Sequence, residues 1–570
     1  MNLNITAKDN NTYDAIVVGS GVSGGWAAKE LTEKGLKVLM LERGNQLEHI
    51  TGYVTATKDN WDFKHRGRHT LEEKASHPFL TRDYPYSEYN ASYWFNDADA
   101  LYEEQKRFDW YRPNIVGGKS IMWGRQSYRL SDLDFEANKR DGIAVDWPIR
   151  YKDIAPWYDY VETYAGISGE KLGLSQLPDG KFLPPMEFNC VEKEVRKNME
   201  SKFKGRHMTM GRVANLSQAA NIHTQHGRAT CQYRNLCSRG CPYGAYFSTQ
   251  ASTLPAAVKT GNLTLRPNSI VASVVYDEKK GRASGVKVID SKTNAETEYF
   301  AKIIFLNGST LGTTQVMLNS TSNRFPNGLG NDSGQLGRNL MDHHFRIGAS
   351  GEWDGFEDKY FYGRRANGIY IPRYRNVGND KREYTRGFGY QGGASRQGWQ
   401  RGVAELGVGA DFKDALSKPG KWTMGMTGFG ECLPYEENQV TLNKDKKDKW
   451  GLPTVTFNAE FKENEKKMRK DMMNDAAEML EAGGCKNVRT YDSGSWPGMA
   501  IHEMGTARMG NDPKTSVLNK FNQVHGCENV FVTDGAAMTS ASCVNPSLTY
   551  MALTARAADH AVKELNKFNI

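Results

Sequence analysis

The sequence predicts an α/β protein, α+β over its whole length, in which a parallel nucleotide-binding sheet is joined to an antiparallel sheet. A strand–turn–helix–strand pattern occupies residues 13–44. Residues 343–460 alternate aromatic, polar and glycine residues, which is typical of antiparallel strands with long loops. Near the C-terminus, a short apolar run ends in Asp534-Gly535, and a helical pattern then leads back towards the first sheet. The length predicts two interleaved domains.

Three other segments have patterns that predict local structure. Residues 46–110 are rich in aromatic and charged residues with weak periodicity, and we interpret them as an excursion over the surface. Residues 262–275 and 284–289 are interpreted as strands of a meander. Residues 462–482 carry apolar residues at helical spacing, which predicts a core-facing helix.

The N-terminal pattern indicates a dinucleotide-binding unit of the Rossmann type. An apolar run predicts a buried parallel strand, and Gly19, Gly21 and Gly24 follow it in GxGxxG spacing. The first glycine permits the tight turn, the second lets a pyrophosphate approach the backbone, and the third lets helix and strand pack closely. A second apolar run, residues 38–41, ends at Glu42, whose carboxylate can accept hydrogen bonds from a ribose hydroxyl. A glycine-rich loop without a ligand is the alternative.

The composition is that of an ordinary globular protein and disfavours several classes of function. The chain has 570 residues, 39% hydrophobic and 25% charged, with a formal net charge of +8 and no basic block for a nucleic acid. No apolar run approaches the ~20 residues that span a bilayer. The polar first residues, MNLNITAKDNNT, lack a signal-peptide pattern. We therefore expect either a cytoplasmic protein or one exported folded with a signal-bearing partner.

Eight cysteines are too few for a disulfide scaffold, but three of them are closely spaced. Cys231, Cys237 and Cys241 form a C-x5-C-x3-C-P run. Three thiolates on a short loop, the last followed by proline, suit an iron–sulfur cluster. Two alternatives stay open: a zinc site that includes His223 and His226, or three unrelated buried thiols.

Two further segments carry candidate site residues. Gly117, Gly118 and Ser120 stand in a GGKS segment, where paired glycines allow a flat ligand to approach the backbone; a helix entry without a ligand is the alternative. The C-terminal part contains His502 in HEMGTARMG and Asn545 in the tail NPSLTYMAL. A helix that begins near this Asn would direct its N-terminal dipole at a cofactor.

Taken together, the GxGxxG turn, the GGKS segment, GRNLMDH, HEMGTARMG and the NVFVTDG…NPSLTYMAL tail resemble the glucose–methanol–choline (GMC) family of FAD oxidoreductases. The resemblance implies an FAD-binding domain assembled from residues 12–48, 110–145, 228–342 and 497–570. It implies a substrate domain with an antiparallel sheet and lid segments, from residues 49–109, 146–227 and 343–496. It also implies the following cofactor contacts: Gly19, Gly21, Gly24, Glu42, Gly117, Gly118, Ser120, Val271, Asp534, Gly535 and Pro546.

The same resemblance implies roles for individual residues. His502 occupies the position of the catalytic histidine and would take the hydroxyl proton while a hydride passes to flavin N5. Asn545 would hydrogen-bond the substrate oxygen, with a structural helix cap as the alternative. Met122 stands where some sugar oxidases of the family carry the histidine that tethers FAD, so noncovalent FAD is expected. His343 and His344 are interpreted as loop structure near the cofactor.

Within the family, the cysteine run is similar to that of catalytic subunits of bacterial sugar dehydrogenases, which carry a [3Fe–4S] cluster beside the flavin. Cys190 could be a fourth ligand only if the fold brings it close. This likeness implies a dehydrogenase that passes electrons to a cytochrome c or other acceptor, and a small chaperone-like subunit that carries the export signal to the periplasm.

The expected substrate is a sugar or glycoside, oxidised at a ring hydroxyl, with C3 as the first choice. A GMC oxidase that uses O2 and a gluconate- or sorbitol-type dehydrogenase are the alternatives. Aromatic residues of the middle region suit either stacking on pyranose rings or ordinary sheet core: Trp353, Phe356, Tyr360, Tyr362, Tyr370, Trp399 and Trp422.

Overall fold

The computed structural model describes residues 11–360, 368–398, 401 and 407–570. The described residues form the following α-helices: α1 (Val22–Glu33), α2 (Leu71–Ser76), α3 (Asp132–Phe135), α4 (Ala137–Asp141), α5 (Tyr151–Ala165), α6 (Cys190–Lys202), α7 (Asn221–Thr224), α8 (Thr253–Lys259), α9 (Thr310–Asn319), α10 (Ala410–Ser417), α11 (Glu463–Gly483) and α12 (Ser547–Asn566). No helix in this part of the chain is long and apolar enough to cross a membrane.

The strands within the same residues are β1 (Thr12–Val18), β2 (Val38–Leu41), β3 (Glu103–Glu104), β4 (Thr209–Met210), β5 (Leu263–Arg266), β6 (Ser269–Asp277), β7 (Arg282–Asp290), β8 (Glu296–Leu306), β9 (His344–Trp353), β10 (Ile369–Ile371), β11 (Phe388–Arg396), β12 (Trp422–Gly430), β13 (Gln439–Lys447), β14 (Pro453–Asn458), β15 (Lys486–Asp492), β16 (Gln523–Val524) and β17 (Cys527–Val532). They are arranged in sheets of eight, six and three strands.

The eight-stranded sheet is the predicted nucleotide-binding sheet. Its main path runs β16-β17-β8-β1-β2-β5, and β1 pairs in parallel with β2 and β8. The inner half of β1 is fully buried because α1 and α12 are among the helices that pack against the sheet. The C-terminal run predicted to return to this sheet is β17, parallel to β8, followed by α12.

The region predicted as a meander at residues 262–275 is two strands with different partners. β5 extends the parallel sheet beside β2, whereas β6 forms an antiparallel hairpin with β7. The chain turns between them at Pro267, which has no N–H to donate, and at Asn268, whose φ of +56° is left-handed. This local turn chemistry divides one apolar run into two strands.

The six-stranded sheet is antiparallel, in the order β15-β9-β12-β11-β10-β4. Side chains along β12 alternate between buried and half-buried, as a sheet covered on one face requires. The cover is α11, whose buried Met468, Met472 and Met479 belong to the same core as Met424 and Met426 of β12. The sequence prediction of an antiparallel sheet and a core-facing helix is confirmed.

Residues 46–110, interpreted from the sequence as a surface excursion, enclose a small core of their own. Tyr53, Tyr86 and Trp94 are at most 8% exposed and cluster with Tyr111 and Ile121. The segment is built from turns and short helices, which place aromatic side chains inside without regular spacing. Its periodicity is therefore weak although its side chains are buried.

The aromatic residues of the middle region belong mainly to the sheet. Trp422 is 2% exposed in the core beneath α11, and Tyr370 stacks on Tyr128 with ring centroids 4.1 Å apart. Tyr362 and Trp399 lie outside the described residues. None of the described members of the set lines the cavity that contains the candidate site.

Candidate active site

A cavity of about 850 Å³ connects the eight-stranded sheet to the six-stranded sheet. At one end its wall is the glycine turn after β1 together with Glu42, at the end of β2. The GGKS segment and Asp534 line its middle. His502 and Asn545 line the other end, where Gln391 of β11 closes the wall. This position, beyond the carboxyl ends of parallel strands, is where open α/β sheets bind ligands.

The glycine turn has the shape that a pyrophosphate needs. Gly19 has a φ of +91°, and a Cβ at Gly24 would lie 1.9 Å from the carbonyl oxygen of Gly19. Gly21 is different, since a Cβ there would meet nothing within 4 Å, and it faces the cavity. No side chain caps the start of α1 at Gly21. The helix N-terminus is therefore open to an anionic ligand.

Glu42 is held rigidly at the cavity wall. Its Oε2 accepts hydrogen bonds from the amide and hydroxyl of Ser20, at 2.9 and 2.6 Å, and its Oε1 accepts one from the amide of Gly44 at 2.7 Å. The Ser20 hydroxyl oxygen also accepts the amide proton of Gly117, at 2.8 Å, and so ties the GGKS segment to the glycine turn. Lone pairs remain on the carboxylate for a ribose hydroxyl.

Most of the predicted cofactor residues line this cavity: Gly19, Gly21, Glu42, Gly118, Ser120, Val271, Asp534 and Gly535. Gly24, Gly117 and Pro546 are not part of the cavity wall. Burial raises the pKa of Asp534 to about 6, although a bond from Thr313 opposes the shift. The glycine turn, the open helix end and the fixed Glu42 together fit a dinucleotide such as FAD.

Arg43, which follows Glu42 directly, has no predicted role in the sequence, yet it lines the same cavity. Its guanidinium lies over Phe95, 4.2 Å from the ring centroid, and Nε and Nη2 have no hydrogen-bond partner among the described residues. Burial lowers its pKa to about 10. These two unsatisfied nitrogens would offer a further polar contact to a nucleotide bound in the cavity.

His502 makes its contacts with two other side chains. Its Nδ1 lies 2.9 Å from Nδ1 of His343, and its Nε2 lies 3.2 Å from Nδ2 of Asn545. Burial lowers the pKa of His502 well below its ordinary value, and charge on His343 and Lys119 lowers it further. The imidazole is therefore neutral, with one N–H and one lone pair.

Asp342 brings the two histidines together. Its Oδ1 accepts the amide protons of His343 and His502, at 2.8 and 3.0 Å, and its Oδ2 accepts that of Ala500 at 3.0 Å. The carboxyl is fully buried, and burial together with Glu503 raises its pKa to about 8. The Asp-His pair of the GRNLMDH motif thus joins two segments that are distant in sequence. The interpretation of His343 as loop structure missed this contact.

Asn545 is positioned by its own hydrogen bonds and does not cap α12. Its Oδ1 accepts a bond from Nε2 of Gln391 at 2.7 Å, and the helix after Pro546 has no side-chain cap. Phe345 and Phe429 stack beside the pair with ring centroids 5.2 Å apart. A polar pair beside an aromatic wall suits a substrate that has both hydroxyl groups and apolar C–H faces.

Arg125 is a second cation of the cavity wall that sequence reasoning missed. It is 7% exposed, its Nη1 donates to the carbonyl of Trp123, and its Nε has no hydrogen-bond partner within the described ranges. The described residues also provide no carboxylate paired with it, in contrast to Lys119, which lies 3.0 Å from Glu503. A buried guanidinium without a counter-charge favours an anionic group in the cavity.

The three cysteines of the C-x5-C-x3-C run do not form a metal site in this structure. No group of three His, Cys, Asp or Glu side chains in the described part of the chain is arranged to hold a metal ion. Burial raises the pKa of the Cys231 thiol, and charge on Cys237 and Cys241 raises it further. Ser238 of the same loop nevertheless lines the cavity. The proposed zinc ligand His223 is engaged elsewhere, with Nε2 3.1 Å from the carbonyl of Thr163.

Comparison with known proteins gives the chain a family. Two family models, both described as GMC oxidoreductase, match residues 13–345 and 434–554. The chain is 28% identical over 571 residues to 2-methyl-1,2-propanediol dehydrogenase of Mycolicibacterium austroafricanum, covering 96% of this chain and 94% of that protein. It is 24% identical over 573 residues to the fructose dehydrogenase large subunit of Gluconobacter japonicus, covering 97% and 98%.

The fold is shared with a solved structure of formate oxidase from Aspergillus oryzae RIB40, in a variant with a mutation that affects FAD modification. The TM-score is 0.63 at 15% identity, and the match covers 98% of this chain and 100% of the other. At this identity the likeness describes the fold alone.

Proposed function

The chain belongs to the GMC oxidoreductase family, as an FAD-dependent enzyme that oxidises CH–OH donors, and from this premise we propose that it is a sugar or glycoside dehydrogenase. The proposed substrate carbon carries a ring hydroxyl, with C3 as the first choice and a 3-keto-glycoside as the product. His502 is proposed as the base and Asn545 as the group that holds the substrate oxygen.

One observation carries this proposal: Nε2 of His502 and Nδ2 of Asn545 lie 3.2 Å apart on the cavity wall. A substrate hydroxyl that lies on the cavity side of both atoms and replaces their direct bond donates its proton to the histidine and accepts a bond from the amide. FAD, when bound, supplies the acceptor for the hydride that leaves the carbinol carbon. His502 holds the released proton, and Asn545 keeps the oxygen in place.

A sugar substrate is supported by the polar and aromatic character of the wall around the pair. Gln391 offers an amide, and Phe345 and Phe429 offer apolar faces. The relatives named above include one that acts on fructose and one that acts on a small diol. The choice of C3 comes from the resemblance of the sequence to bacterial sugar dehydrogenases, and product analysis tests it.

Arg125 supports a second candidate, a gluconate-type dehydrogenase. A sugar acid would supply the carboxylate that the described residues do not provide for this guanidinium. If this candidate is right, Arg125→Gln raises the KM for gluconate and leaves the KM for a neutral glycoside unchanged, and Arg125→Lys preserves part of the preference. Equal effects on both substrates favour the neutral sugar.

The proposed electron acceptor is external, a cytochrome c or a quinone. The name of the fructose dehydrogenase large subunit supports a small partner subunit, with which we propose that this chain is exported to the periplasm. A [3Fe–4S] cluster on Cys231, Cys237 and Cys241 is a prediction of the sequence pattern. The described residues, as they are arranged, do not fit such a cluster.

Anaerobic mixing of the purified holoenzyme with candidate substrates tests the proposal. A panel of methyl glucoside, glucose, gluconate, sorbitol and 2-methyl-1,2-propanediol is followed by flavin bleaching, with NMR identification of the product. A dehydrogenase bleaches with a glycoside and, in air, reduces an added acceptor without consuming oxygen. Peroxide formation would instead identify an oxidase, and bleaching with the diol alone would reject the sugar assignment.

A further inference from the structure

The hydrogen bonds behind the catalytic pair run in one direction from a single carbonyl group. We propose that the carbonyl oxygen of Ser542, acting through His343, fixes the tautomer of His502 so that its Nε2 is the free base. His343 is then a positioning residue for the reaction. This inference rests on the proposed function, since it assumes that His502 takes the substrate proton.

The anchor is unambiguous because a carbonyl oxygen can only accept. The oxygen of Ser542 lies 2.9 Å from Nε2 of His343, so this ring nitrogen carries the proton. Ser542 has a left-handed φ of +57°, and its hydroxyl donates to Oδ1 of Asp134 at 2.8 Å. A left-handed backbone at a non-glycine residue costs free energy and is held by its surroundings.

Because Nε2 of His343 carries a proton, the protonation of its Nδ1 depends only on whether the ring is neutral or charged. The ring is fully buried, and burial lowers its pKa to about 4, so it is neutral and its Nδ1 can only accept. The partner 2.9 Å away is Nδ1 of His502, which must therefore donate. A neutral imidazole with its proton on Nδ1 has its lone pair on Nε2. That nitrogen is the one beside Asn545 at the cavity wall.

The hydrogen bonds on the Asn545 side of His502 have donors and acceptors that agree with this tautomer. Because Nε2 of His502 accepts, Asn545 must present its amide nitrogen there and its oxygen to Gln391, whose Nε2 donates at 2.7 Å. The oxygen of Gln391 lies 3.4 Å from Nε2 of Gln126, whose own oxygen accepts the hydroxyl proton of Tyr128. Every donor meets an acceptor from Tyr128 to Ser542. A substrate hydroxyl that lies against both groups from the cavity side thus meets one acceptor and one donor.

The other tautomer of His502 would place lone pairs on both facing Nδ1 atoms and a proton on Nε2 towards the substrate. It would lose the bond to His343 and could not take a proton at Nε2. Without the imidazole of His343, nothing else in the described surroundings holds the proton on Nδ1. The fraction of enzyme in the reactive tautomer would then fall.

The test compares full-length holoenzyme variants at this position with a neighbouring control. His343→Leu removes the acceptor, whereas His343→Asn can place an amide oxygen near the former Nδ1. The control is His344→Leu, because His344 is equally buried and its ring nitrogens have no hydrogen-bond partner among the described residues. The readouts are FAD content, the rate of flavin reduction in anaerobic stopped-flow with its pH profile, and ¹⁵N shifts of labelled histidine.

We expect His343→Leu to retain FAD and to slow flavin reduction by about 10²-fold, the lower scale for loss of a working general base. His343→Asn should recover most of that rate, and His344→Leu should stay near the wild type. The wild-type spectrum should show His502 with an unprotonated Nε2. Normal reduction by His343→Leu, or a protonated Nε2 in the wild-type enzyme, would overturn the inference.

The ¹⁵N spectrum of the wild-type enzyme tests the tautomer of His502 even if the variants do not fold. Failure of the proposed function has a different signature, because His502→Ala would then reduce flavin normally. If His502→Ala is slow and His343→Leu is normal, the base assignment holds and only the tautomer inference fails.

Discussion

The two ends of the cavity are built in different ways. The nucleotide end consists mainly of backbone: a glycine turn, an uncapped helix and one carboxylate, all within residues 12–44. The proposed catalytic end consists of side chains from distant segments, with His343, His502 and Asn545 joined by hydrogen bonds. A cofactor-binding turn can be built from one continuous segment of chain. The position of the proton on an imidazole ring instead depends on hydrogen-bond partners on several sides of that ring.

Replacement of the proposed base, His502, should have the largest effect. We expect His502→Ala to keep FAD bound and to slow flavin reduction by about 10²-fold or more, because a general base contributes on that scale. Anaerobic stopped-flow at saturating substrate measures the rate, and the visible spectrum reports FAD. A rate close to that of the wild type would remove His502 from the mechanism.

Alanine substitutions at Gly24 and Gly21, in the same turn, should affect different properties: the stability of the apo fold and the affinity for FAD. In Gly24→Ala the new Cβ would lie 1.9 Å from the carbonyl oxygen of Gly19, so the apo fold itself is destabilised. In Gly21→Ala the new Cβ has open space and the backbone φ of −68° is ordinary, so the apo fold persists. FAD affinity should nevertheless fall by about tenfold or more, which is about 1.4 kcal/mol.

Thermal unfolding of the apoproteins and titration with FAD separate these effects. Equal loss of apo stability in both variants would contradict the view that Gly21 is reserved for the ligand. Normal FAD affinity in Gly21→Ala would contradict the placement of the pyrophosphate at this turn.

Acid should lower the free energy of unfolding, because the fold holds His343 in its neutral form. Its folded-state pKa is about 4, below the ordinary 6.5, so its contribution to stability is fully present above pH 6.5 and is lost as the pH falls through 4. The lowering of the His343 pKa from 6.5 to about 4 corresponds to about 3 kcal/mol. The raised pKa of Asp342 acts in the opposite sense, since its contribution is lost as the pH rises towards 8.

Urea unfolding of the wild type and of His343→Leu at pH 7 and pH 4.5 measures the contribution of His343 to the pH dependence of the unfolding free energy. The variant should lose less unfolding free energy on acidification than the wild type. An equal loss in both proteins would show that His343 is not held in the neutral form by the fold.

The cysteine loop should have the smallest effect on the chemical step. We expect Cys237→Ser to leave single-turnover flavin reduction unchanged, because the residues of the proposed proton transfer lie elsewhere in the cavity wall. Iron analysis and EPR of anaerobically purified wild-type protein test the predicted cluster directly. If a cluster is present, the same variant should lose iron, brown colour and electron export together. A slowed single turnover would place this loop in the chemistry.

Much of this protein could be predicted from its sequence, because the relevant interactions are local or periodic. The β1–α1–β2 unit, the core-facing helix α11 and the return of β17 and α12 follow from spacing, glycine positions and apolar periodicity. Residues 46–110 and the split at Pro267 were not predicted correctly, since irregular turns bury aromatic residues without a period and one turn divides an apolar run.

The sequence by itself predicted a dinucleotide site at the turn after β1, with His502 and Asn545 as candidate site residues. Only the tertiary structure decided that Asp342 accepts the backbone amides of both His343 and His502, and that Gln391 orients Asn545. Both depend on strands and loops separated by more than a hundred residues, whose approach no local pattern records. Hydrogen-bond polarity is a property of the assembled network, because each proton's position depends on every partner along it.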